Sequence, residues 1–217
     1  MLLPRDLDGA TLSLVAQRRH VLGRSCSVRD SVQQRRLFAE TGRLVVRPWR
    51  PSEVDRHFDI YRRDEVVRWL GGPPVRDRQE ALDLIERRAA QYAEDQRFGT
   101  WAIVERTSEL PVGSVLLRPL PHGEGVVEIG WHLHPDSWGK GYASEAAAAV
   151  LDRAFADGLD EVWAVTYPDN DRSVAVCRRV GMHLLGITRR WYDEPLLMFW
   201  RGSNDDQQPS LQPDGQA

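Results

Sequence analysis

The chain has 217 residues, of which 41% are hydrophobic and 28% are charged, and its formal net charge is −3. This composition is typical of an ordinary globular domain that is long enough to bury one sizeable core. The slightly acidic balance argues against general nucleic-acid binding, and no apolar run approaches the roughly 20 residues that span a bilayer. We therefore expect neither a nucleic-acid nor a membrane partner. Two cysteines, Cys26 and Cys177, are too few for a disulfide framework, which favours a cytoplasmic location.

The two ends of the chain differ in composition from the middle. Residues 1–40 carry many arginines but lack the apolar core of a secretory signal. We expect an N-terminal extension there that is either poorly ordered or partly helical, with Thr11–Val21 and Asp30–Ala39 as the helical stretches. Residues 202–217 are rich in Gln, Pro, Asp and Ser and are predicted to form a disordered tail. Residues 41–201 then form a single domain.

The first half of this domain begins with a strand and two helices. Arg43–Pro48 is predicted to be a strand that ends at its proline. Ser52 is the expected N-cap of the first helix, and Asp77 that of the next. Trp69–Pro74 contains two glycines and two prolines and separates the helices.

The second half alternates strands with two further helices. The links between its first three strands are short, which predicts antiparallel hairpins, whereas the helix that follows the third is a crossover of the length that a parallel pair requires. The predicted strands are Gly99–Glu105, Pro111–Pro119, Val126–Leu133, Glu161–Thr166, Met182–Arg190 and Tyr192–Arg201, and the helices start at Tyr142 and Asp171.

A glycine-rich loop joins the third of these strands to the helix at Tyr142. Gly139 and Gly141 flank Lys140, the only lysine in the chain. Unpaired N–H groups of a first helical turn, the helix dipole and a lysine together predict an anion site that suits a pyrophosphate. The loop lacks the spacing of a Walker motif, and Ser144 replaces the third glycine of a dinucleotide fingerprint. A plain tight turn is the alternative interpretation.

Two spaced motifs around this loop point to a family. Trp138-Gly-Lys-Gly-Tyr-Ala143 resembles the Gln/Arg-x-x-Gly-x-Gly/Ala loop of the GCN5-related N-acetyltransferases (GNAT), in the branch that acetylates N-terminal amines of ribosomal proteins. Glu128-Ile-Gly-Trp-His-Leu133 is similar to the fourth strand of that branch. Asn170-Asp-Arg-Ser173, followed by Gly181-Met182, resembles its Asn-x-x-Ser…Gly-Phe/Met signature. The resemblance covers roughly residues 43–200.

The resemblance implies an α+β fold with acetyl-CoA as co-substrate and no metal. The expected architecture is a mixed, mostly antiparallel sheet of about seven strands, flanked by about four helices. A splay is expected between the fourth and fifth strands, here Val126–Leu133 and Glu161–Thr166, and acetyl-CoA lies in it. The protein is expected to be a monomer or a homodimer.

The same resemblance assigns residues to the coenzyme. The expected contacts are the pyrophosphate loop, the strand backbone beside the pantetheine arm, and a polar pair at the next helix. For Asn170, a plain helix N-cap is the alternative. The residues are Gly130, Trp131, His132, Leu133, Trp138, Gly139, Lys140, Gly141, Tyr142, Ala143, Ser144, Asn170 and Ser173.

Acetyl transfer needs a base for the amine, stabilisation of an oxyanion and a proton for the leaving thiolate. Glu128 is the first candidate for the base, directly or through a water, and His134 is the second. Glu128 has two rival roles, binding the ammonium of the acceptor or pairing with an arginine. A backbone N–H near Leu133 is expected to stabilise the oxyanion.

The general acid departs from the family pattern. Many members have a tyrosine at the position of Cys177, and a free cysteine is more often a buried small hydrophobe. Ser173, Tyr167 or a water are the alternatives, as is departure of the thiolate without an acid.

The acceptor is expected to be a primary amine, either a protein N-terminus or a small molecule. Trp69, Trp191 and Asp193 lie in the segments that hold the acceptor in the family. The functional alternatives are a non-catalytic acyl-CoA sensor or scaffold and an unrelated nucleotide-binding module.

Overall fold

A computed structural model describes residues 38–204 and 206–211. Within these ranges the chain forms one sheet of eight strands and five α-helices, which confirms the expected α+β class. The strands are β1 (Ala39–Glu40), β2 (Leu44–Pro48), β3 (Gly99–Glu105), β4 (Pro111–Pro119), β5 (Val127–Leu133), β6 (Glu161–Thr166), β7 (His183–Thr188) and β8 (Leu196–Gly202). The helices are α1 (Val54–Tyr61), α2 (Asp64–Val67), α3 (Arg78–Gln91), α4 (Tyr142–Ala156) and α5 (Asp171–Arg179).

The structure contains one strand and one helix more than the sequence predicted, and both are short. Strand β1 has two residues and helix α2 has four. Neither is long enough to produce a hydrophobic period that can be read from the sequence. None of the helices in the described part of the chain has the length and apolar composition to cross a membrane.

The sheet has the order β1-β2-β3-β4-β5-β6-β8-β7, and only the β5–β6 pair is parallel. That pair is in register at a single position, Glu128 opposite Trp163. Beyond Glu128 the two strands separate, which confirms the expected splay. One edge of β5 from Ile129 to Leu133 therefore has no neighbouring strand within residues 38–204.

The two faces of the sheet are covered by different helices. Val127, Ile129 and Leu133 of β5 pack in a core with Ala146 and Val150 of α4. A second core lies on the other face and contains Trp49, Ile60 and Tyr61 together with Ala81 and Ile85 of α3. Because side chains alternate along a strand, Glu128, Gly130 and His132 face the α1/α3 side.

Ser52 does not cap the first helix, so that prediction is wrong. The chain first makes a 3-10 turn at Pro51–Glu53, and α1 begins at Val54. The Glu53 carboxylate accepts a hydrogen bond from the Arg50 backbone N–H over 2.9 Å and pairs with Arg47. This acid therefore satisfies the helix entry in place of a serine hydroxyl. Asp77 is confirmed as a cap, since it accepts from the Glu80 N–H over 2.9 Å.

The structure describes only part of the two chain ends for which predictions were made. Thr11–Val21 and residues 30–37 lie outside the described residues, and Ala39 belongs to β1 rather than to a helix. Gly202, expected to begin the tail, ends β8. The Ser210 N–H donates to Glu161 Oε2 over 3.0 Å, and Leu211 packs against the hydrophobic cluster that contains Trp163. Within residues 206–211, Ser210 and Leu211 thus contact the folded domain.

Candidate functional site

The loop before α4 has the backbone geometry of an anion site. Gly139 and Gly141 have φ values of 77° and 80°, in the left-handed region that favours glycine. A Cβ on Gly139 would meet no atom within 4 Å, so the backbone angle rather than crowding requires this residue. Gly141 is the N-cap of α4 and offers no side-chain cap. The N–H groups of the first turn therefore have neither an intrahelical acceptor nor a side-chain cap.

An arginine from the start of the domain holds this loop in place. Arg43 Nη1 donates to the Lys140 carbonyl over 3.0 Å, and Arg43 Nε donates to Glu145 Oε2 over 2.7 Å. Glu145 lies in the first turn of α4 and also accepts from the Thr41 hydroxyl over 2.5 Å. The sequence analysis missed Arg43 as a site residue. No local pattern connects it to a loop about one hundred residues away.

Trp138 links the loop to the next helix. Its indole N–H donates to the Leu133 carbonyl over 2.9 Å, which closes the turn behind β5. The Arg172 guanidinium lies over the Trp138 ring, 4.1 Å from its centroid. Arg172 belongs to the first turn of α5, so α5 places a positive charge over Trp138 at the start of the loop. The sequence analysis missed this residue too.

Two further features fit a phosphate and an extended amide chain. Ser144 Oγ is buried and has no hydrogen-bond partner among the described residues. A buried hydroxyl without a partner is costly, so a ligand oxygen beside it would be stabilising. The free edge of β5 likewise presents backbone groups that need partners. These residues fit the pyrophosphate and the pantetheine arm of coenzyme A.

Glu128 stands where the splay opens, and its carboxylate is fully engaged. Its side chain is 7% exposed, and Oε1 accepts from Arg118 Nε over 2.7 Å. The Tyr192 hydroxyl lies 3.1 Å from Oε1 and 3.2 Å from Oε2. Burial disfavours the charged form of Arg118, but the Glu128 carboxylate, with Tyr192 and Tyr92, more than offsets this effect and raises the pKa of the guanidinium. Burial and the same carboxylate raise the pKa of Tyr192. The ion-pair role of Glu128 is therefore present in the structure.

The histidines near the loop have different environments. His134 Nε2 lies 2.9 Å from an Asp59 oxygen, and its Nδ1 contacts Asp136. Both ring nitrogens of His134 are thus engaged. His132 lies on the face of Glu128, with its Nδ1 3.1 Å from the Tyr61 hydroxyl.

The candidate acids lie at α5. Cys177 has no exposed surface and belongs to the core between the sheet and α4. Burial raises the pKa of its thiol to about 12. Its surroundings are therefore those of a small core residue rather than of a proton donor. The Ser173 N–H donates to Asn170 Oδ1 over 3.2 Å, so Asn170 does cap α5.

The residues expected to hold the acceptor differ in exposure: Trp69 is half-buried, Asp193 is exposed and Trp191 is buried. The Trp69 ring lies 6.0 Å from that of Tyr167, at the end of β6. Asp193 is exposed, and its carbonyl accepts from Arg189. Trp191 is 4% exposed and packs against Trp163 in the core. Its neighbour Tyr192, which the sequence analysis did not single out, reaches Glu128 instead.

The structure thus brings most of the residues predicted to bind the coenzyme, and Glu128, into two groups joined by β5. One group surrounds the α4 N-terminus, and the other surrounds Glu128 at the start of the splay. Residues 38–204 and 206–211 contain no cluster of three or more His, Cys, Asp or Glu side chains able to hold a metal ion.

Comparison with known proteins agrees with this geometry. The family model for the acetyltransferase (GNAT) domain matches residues 43–183. An uncharacterized N-acetyltransferase of Bacillus subtilis, YoaA, is 29% identical over 153 residues, which are 70% of this chain and 86% of YoaA.

Two solved structures share the fold. A ribosomal-protein-S5-alanine acetyltransferase from Vibrio fischeri is 18% identical with a TM-score of 0.62, and the match covers 78% of this chain and 98% of that one. A spermidine N-acetyltransferase from Vibrio cholerae, in complex with CoA and spermine, is 14% identical with a TM-score of 0.62, covering 75% and 97%. On the family match over most of its domain, together with the splayed sheet and the glycine loop, this chain belongs to the GNAT acetyltransferase family.

Proposed function

We propose that this protein transfers the acetyl group of acetyl-CoA to a primary amine by direct attack of the amine on the thioester. One observation carries the proposal: the sheet splays directly beyond Glu128, and the free edge of β5 leads to the uncapped N-terminus of α4. Backbone groups on the open edge of β5 thus lie between a buried carboxylate and the N-terminus of α4. No ordinary tight turn requires that combination.

In this proposal the loop residues hold the coenzyme. The first-turn N–H groups of α4, the Lys140 ammonium and the Ser144 hydroxyl bind the pyrophosphate. The backbone from Gly130 to Leu133 pairs with the pantetheine amides. Asn170 already caps α5 through its oxygen, and its amide nitrogen is the group that would contact the arm. Acetyl-CoA supplies an activated acyl group with a good leaving thiol.

The chemistry requires one proton transfer from the acceptor. The amine nitrogen bonds to the acetyl carbon, the carbon–sulfur bond breaks, and the sulfur leaves as a thiolate that takes up one proton from water, to which Glu128 later returns the proton of the amine. Glu128 accepts the proton of the amine, directly or through a water. Arg118 and Tyr192 hold its carboxylate in one orientation. While no acceptor is bound, the Arg118 guanidinium compensates the negative charge of the Glu128 carboxylate.

The acceptor is proposed to be a protein N-terminus or a small-molecule amine. The two solved structures reported above are named for acceptors of these two kinds. The resemblance of the loop, with Trp138 in first position, favours the protein N-terminus. Asp193 and Glu194 lie exposed in the turn between β7 and β8, where they would attract a cationic amine.

A second candidate function is a non-catalytic acyl-CoA sensor. It is favoured by two observations: both Glu128 oxygens are engaged, and the position of the expected acid is a buried cysteine. A sensor would bind acetyl-CoA without releasing thiol. Turnover distinguishes it from an enzyme.

The test is a thermal shift with acetyl-CoA, coenzyme A and ATP in parallel, followed by thiol release over a panel of amines. A ligand at a hundred times its Kd adds about 2.7 kcal/mol to the unfolding free energy. This corresponds to a rise in Tm of roughly 5–10 °C for a domain of this size. A shift with acetyl-CoA but not ATP, with thiol release, supports the proposal. A shift without release favours the sensor, and no shift with either coenzyme species contradicts both.

A further inference from the structure

The Glu128 carboxylate is closed off by the link between β7 and β8. Its side chain is only 7% exposed, although the proposed chemistry requires an amine to give it a proton. The Tyr192 hydroxyl covers both oxygens, at 3.1 Å from Oε1 and 3.2 Å from Oε2. Tyr192 itself is half-buried, so it lies at the boundary between the carboxylate and solvent. This arrangement leaves almost no carboxylate surface open to an acceptor amine.

The two groups that bind this carboxylate are anchored differently. Arg118 lies on β4, an inner strand of the sheet, opposite Glu128 in the β4–β5 register. Tyr192 lies in residues 189–195, which form neither helix nor strand. Burial and the Glu128 charge raise the pKa of Tyr192, so its hydroxyl stays a neutral donor. Tyr192 can therefore leave the carboxylate without breaking a strand pairing or separating an ion pair.

Anchored residues on both sides confine such a movement to a short segment. Trp191 is 4% exposed and packs against Trp163, with ring centroids 5.8 Å apart. Strand β8 begins directly after the link. Between these anchors, Arg189 Nη1 donates to the Asp193 carbonyl over 3.1 Å, and water can replace this bond because it is exposed. The segment able to move is therefore residues 192–195.

An acceptor amine gains more from this carboxylate than water does. A charged donor makes a stronger hydrogen bond than a neutral one. An incoming ammonium group can therefore displace the Tyr192 hydroxyl, whereas a water molecule offers only another neutral donor. While the hydroxyl is in place, water does not reach the base, and exclusion of water from a site protects a reactive thioester from hydrolysis.

We propose that Tyr192 is a positioning residue that gates the base: its hydroxyl closes Glu128 to water, and the acceptor amine displaces it. This inference rests on the proposed function and adds the event that opens the same site. The reaction that the closed state prevents is hydrolysis of acetyl-CoA. In that reaction a water oxygen bonds to the acetyl carbon and the carbon–sulfur bond breaks. Glu128 takes one water proton and returns it to the thiolate, so that acetic acid and coenzyme A form.

Tyr192→Phe tests the gate because it keeps the ring and removes the hydroxyl. Thiol release without any amine is expected to rise about two- to tenfold, the scale of one hydrogen bond. With trialanine amide and with butylamine, KM for the amine should fall by a similar factor while kcat stays within about threefold, because the closed form no longer competes with the amine. Tyr92→Phe is the matched control, since the Tyr92 hydroxyl accepts from Gln91 Nε2 over 3.1 Å. It should match the wild-type protein in all three quantities.

A residue that only orients the base gives a different result. Tyr192→Phe would then lower kcat, leave KM for the amine unchanged and release no additional thiol without amine. In a wild-type protein that transfers acetyl groups, this pattern overturns the inference. Absence of thiol release by the wild-type protein with every amine contradicts the proposed function alone, and access to Glu128 is then measured directly.

Chemical labelling of carboxylates measures this access without turnover. Carbodiimide couples glycine amide to accessible carboxylates of the protein–coenzyme A complex, and peptide mass spectrometry locates the label. Relative to the exposed Glu86, the label on Glu128 should rise several-fold in Tyr192→Phe and further in Tyr192→Ala, but not in Tyr92→Phe. Equal labelling of Glu128 in all four proteins overturns the inference. So does a parallel rise at Glu53, whose side chain is 13% exposed, because that would indicate a loosened fold rather than an opened gate.

Discussion

Arg118 Nε donates a hydrogen bond to Glu128 Oε1 over 2.7 Å, and the two residues stand opposite each other in the β4–β5 register. Both side chains are largely buried, with 18% and 7% exposure. Removing one partner of a buried ion pair typically costs 3–5 kcal/mol, because the other charge remains without compensation. Glu128 therefore contributes to stability as well as to the proposed chemistry, and its substitution must be read with both effects in view.

Glu128→Gln separates these two roles. The amide keeps a hydrogen-bond acceptor for Arg118 but cannot take a proton from the amine, so we expect kcat to fall about 100-fold or more. The Kd for acetyl-CoA should stay near its wild-type value. Thiol release and calorimetry measure the two quantities. Glu161→Gln is the matched control, because Glu161 also accepts bonds from Trp163 and Trp200 but lies outside the site. A kcat within threefold of wild type for Glu128→Gln would contradict its role as base.

Gly141→Ala tests the loop backbone. A non-glycine residue in the left-handed region costs roughly 1–2 kcal/mol, and relaxation of that strain would move the first-turn N–H groups. We expect a lower Tm and a higher Kd for acetyl-CoA. Gly158→Ala is the control, since Gly158 has a φ of 90° at the other end of α4. It should lower Tm without changing the Kd. If the Kd for acetyl-CoA were the same in Gly141→Ala as in Gly158→Ala, this would argue against an anion site at the loop.

Arg43→Gln tests whether the hydrogen bond from Arg43 to the Lys140 carbonyl holds the loop in a conformation that binds the coenzyme. Arg43 is 54% exposed, and an exposed ion pair contributes only about 0.2–1 kcal/mol, so Tm should change little. The loop loses its link to Glu145, and we expect the Kd for acetyl-CoA to rise several-fold. Arg76→Gln removes a comparable exposed pair with Glu80 on α3 and should leave the Kd unchanged. Both constants are measured by calorimetry, and an unchanged Kd in Arg43→Gln would contradict this role of Arg43.

Cys177→Ala tests the acid assignment. The sulfur lies in the core, so its loss leaves a small cavity that costs about 1 kcal/mol. Because burial raises the pKa of the thiol to about 12, we expect kcat to remain within a factor of two. Thermal unfolding and thiol release check the two halves of this prediction. A large drop in kcat with little change in Tm would restore Cys177 as the proton donor.

Because His57 is buried, we expect the folded protein to lose stability at acidic pH. It is 0% exposed, neither ring nitrogen has a partner among the described residues, and burial with the Arg88 charge lowers its pKa to about 3. Below about pH 6.5 the unfolded chain binds a proton that the folded one does not. The unfolding free energy should therefore fall with decreasing pH between about 6.5 and 3, by up to about 1.4 kcal/mol per pH unit for this group.

His57→Phe checks this dependence by denaturant unfolding at several pH values. The variant should show a shallower loss between pH 6.5 and 4 than the wild-type protein. The control His122→Asn alters an exposed histidine at φ 55° and should keep the wild-type slope. An identical slope in His57→Phe would mean that another group, such as His132, causes the acid sensitivity.

The strand–loop–helix unit from Val127 to Ala156 was predictable from the sequence alone. Its signals are local: a β-branched and aromatic run, Pro135, paired glycines and an alanine-rich helix, each of which acts within a few residues. The parallel crossover followed from link length. The first-turn N–H groups of α4, which define the proposed anion site, could therefore be predicted without knowledge of distant contacts.

Contacts between distant residues were decided only by the tertiary structure. Arg43 and Glu145 are 102 positions apart, and nothing near either one indicates the other. The β4–β5 register sets Arg118 against Glu128, and helix packing brings Tyr61 to His132 and closes the core over Cys177. Sequence periodicity assigns a side chain to one face of its own helix or strand. It does not identify the side chain of another element that contacts it on that face. That depends on strand register and on how helices pack on the sheet, which the whole chain determines together.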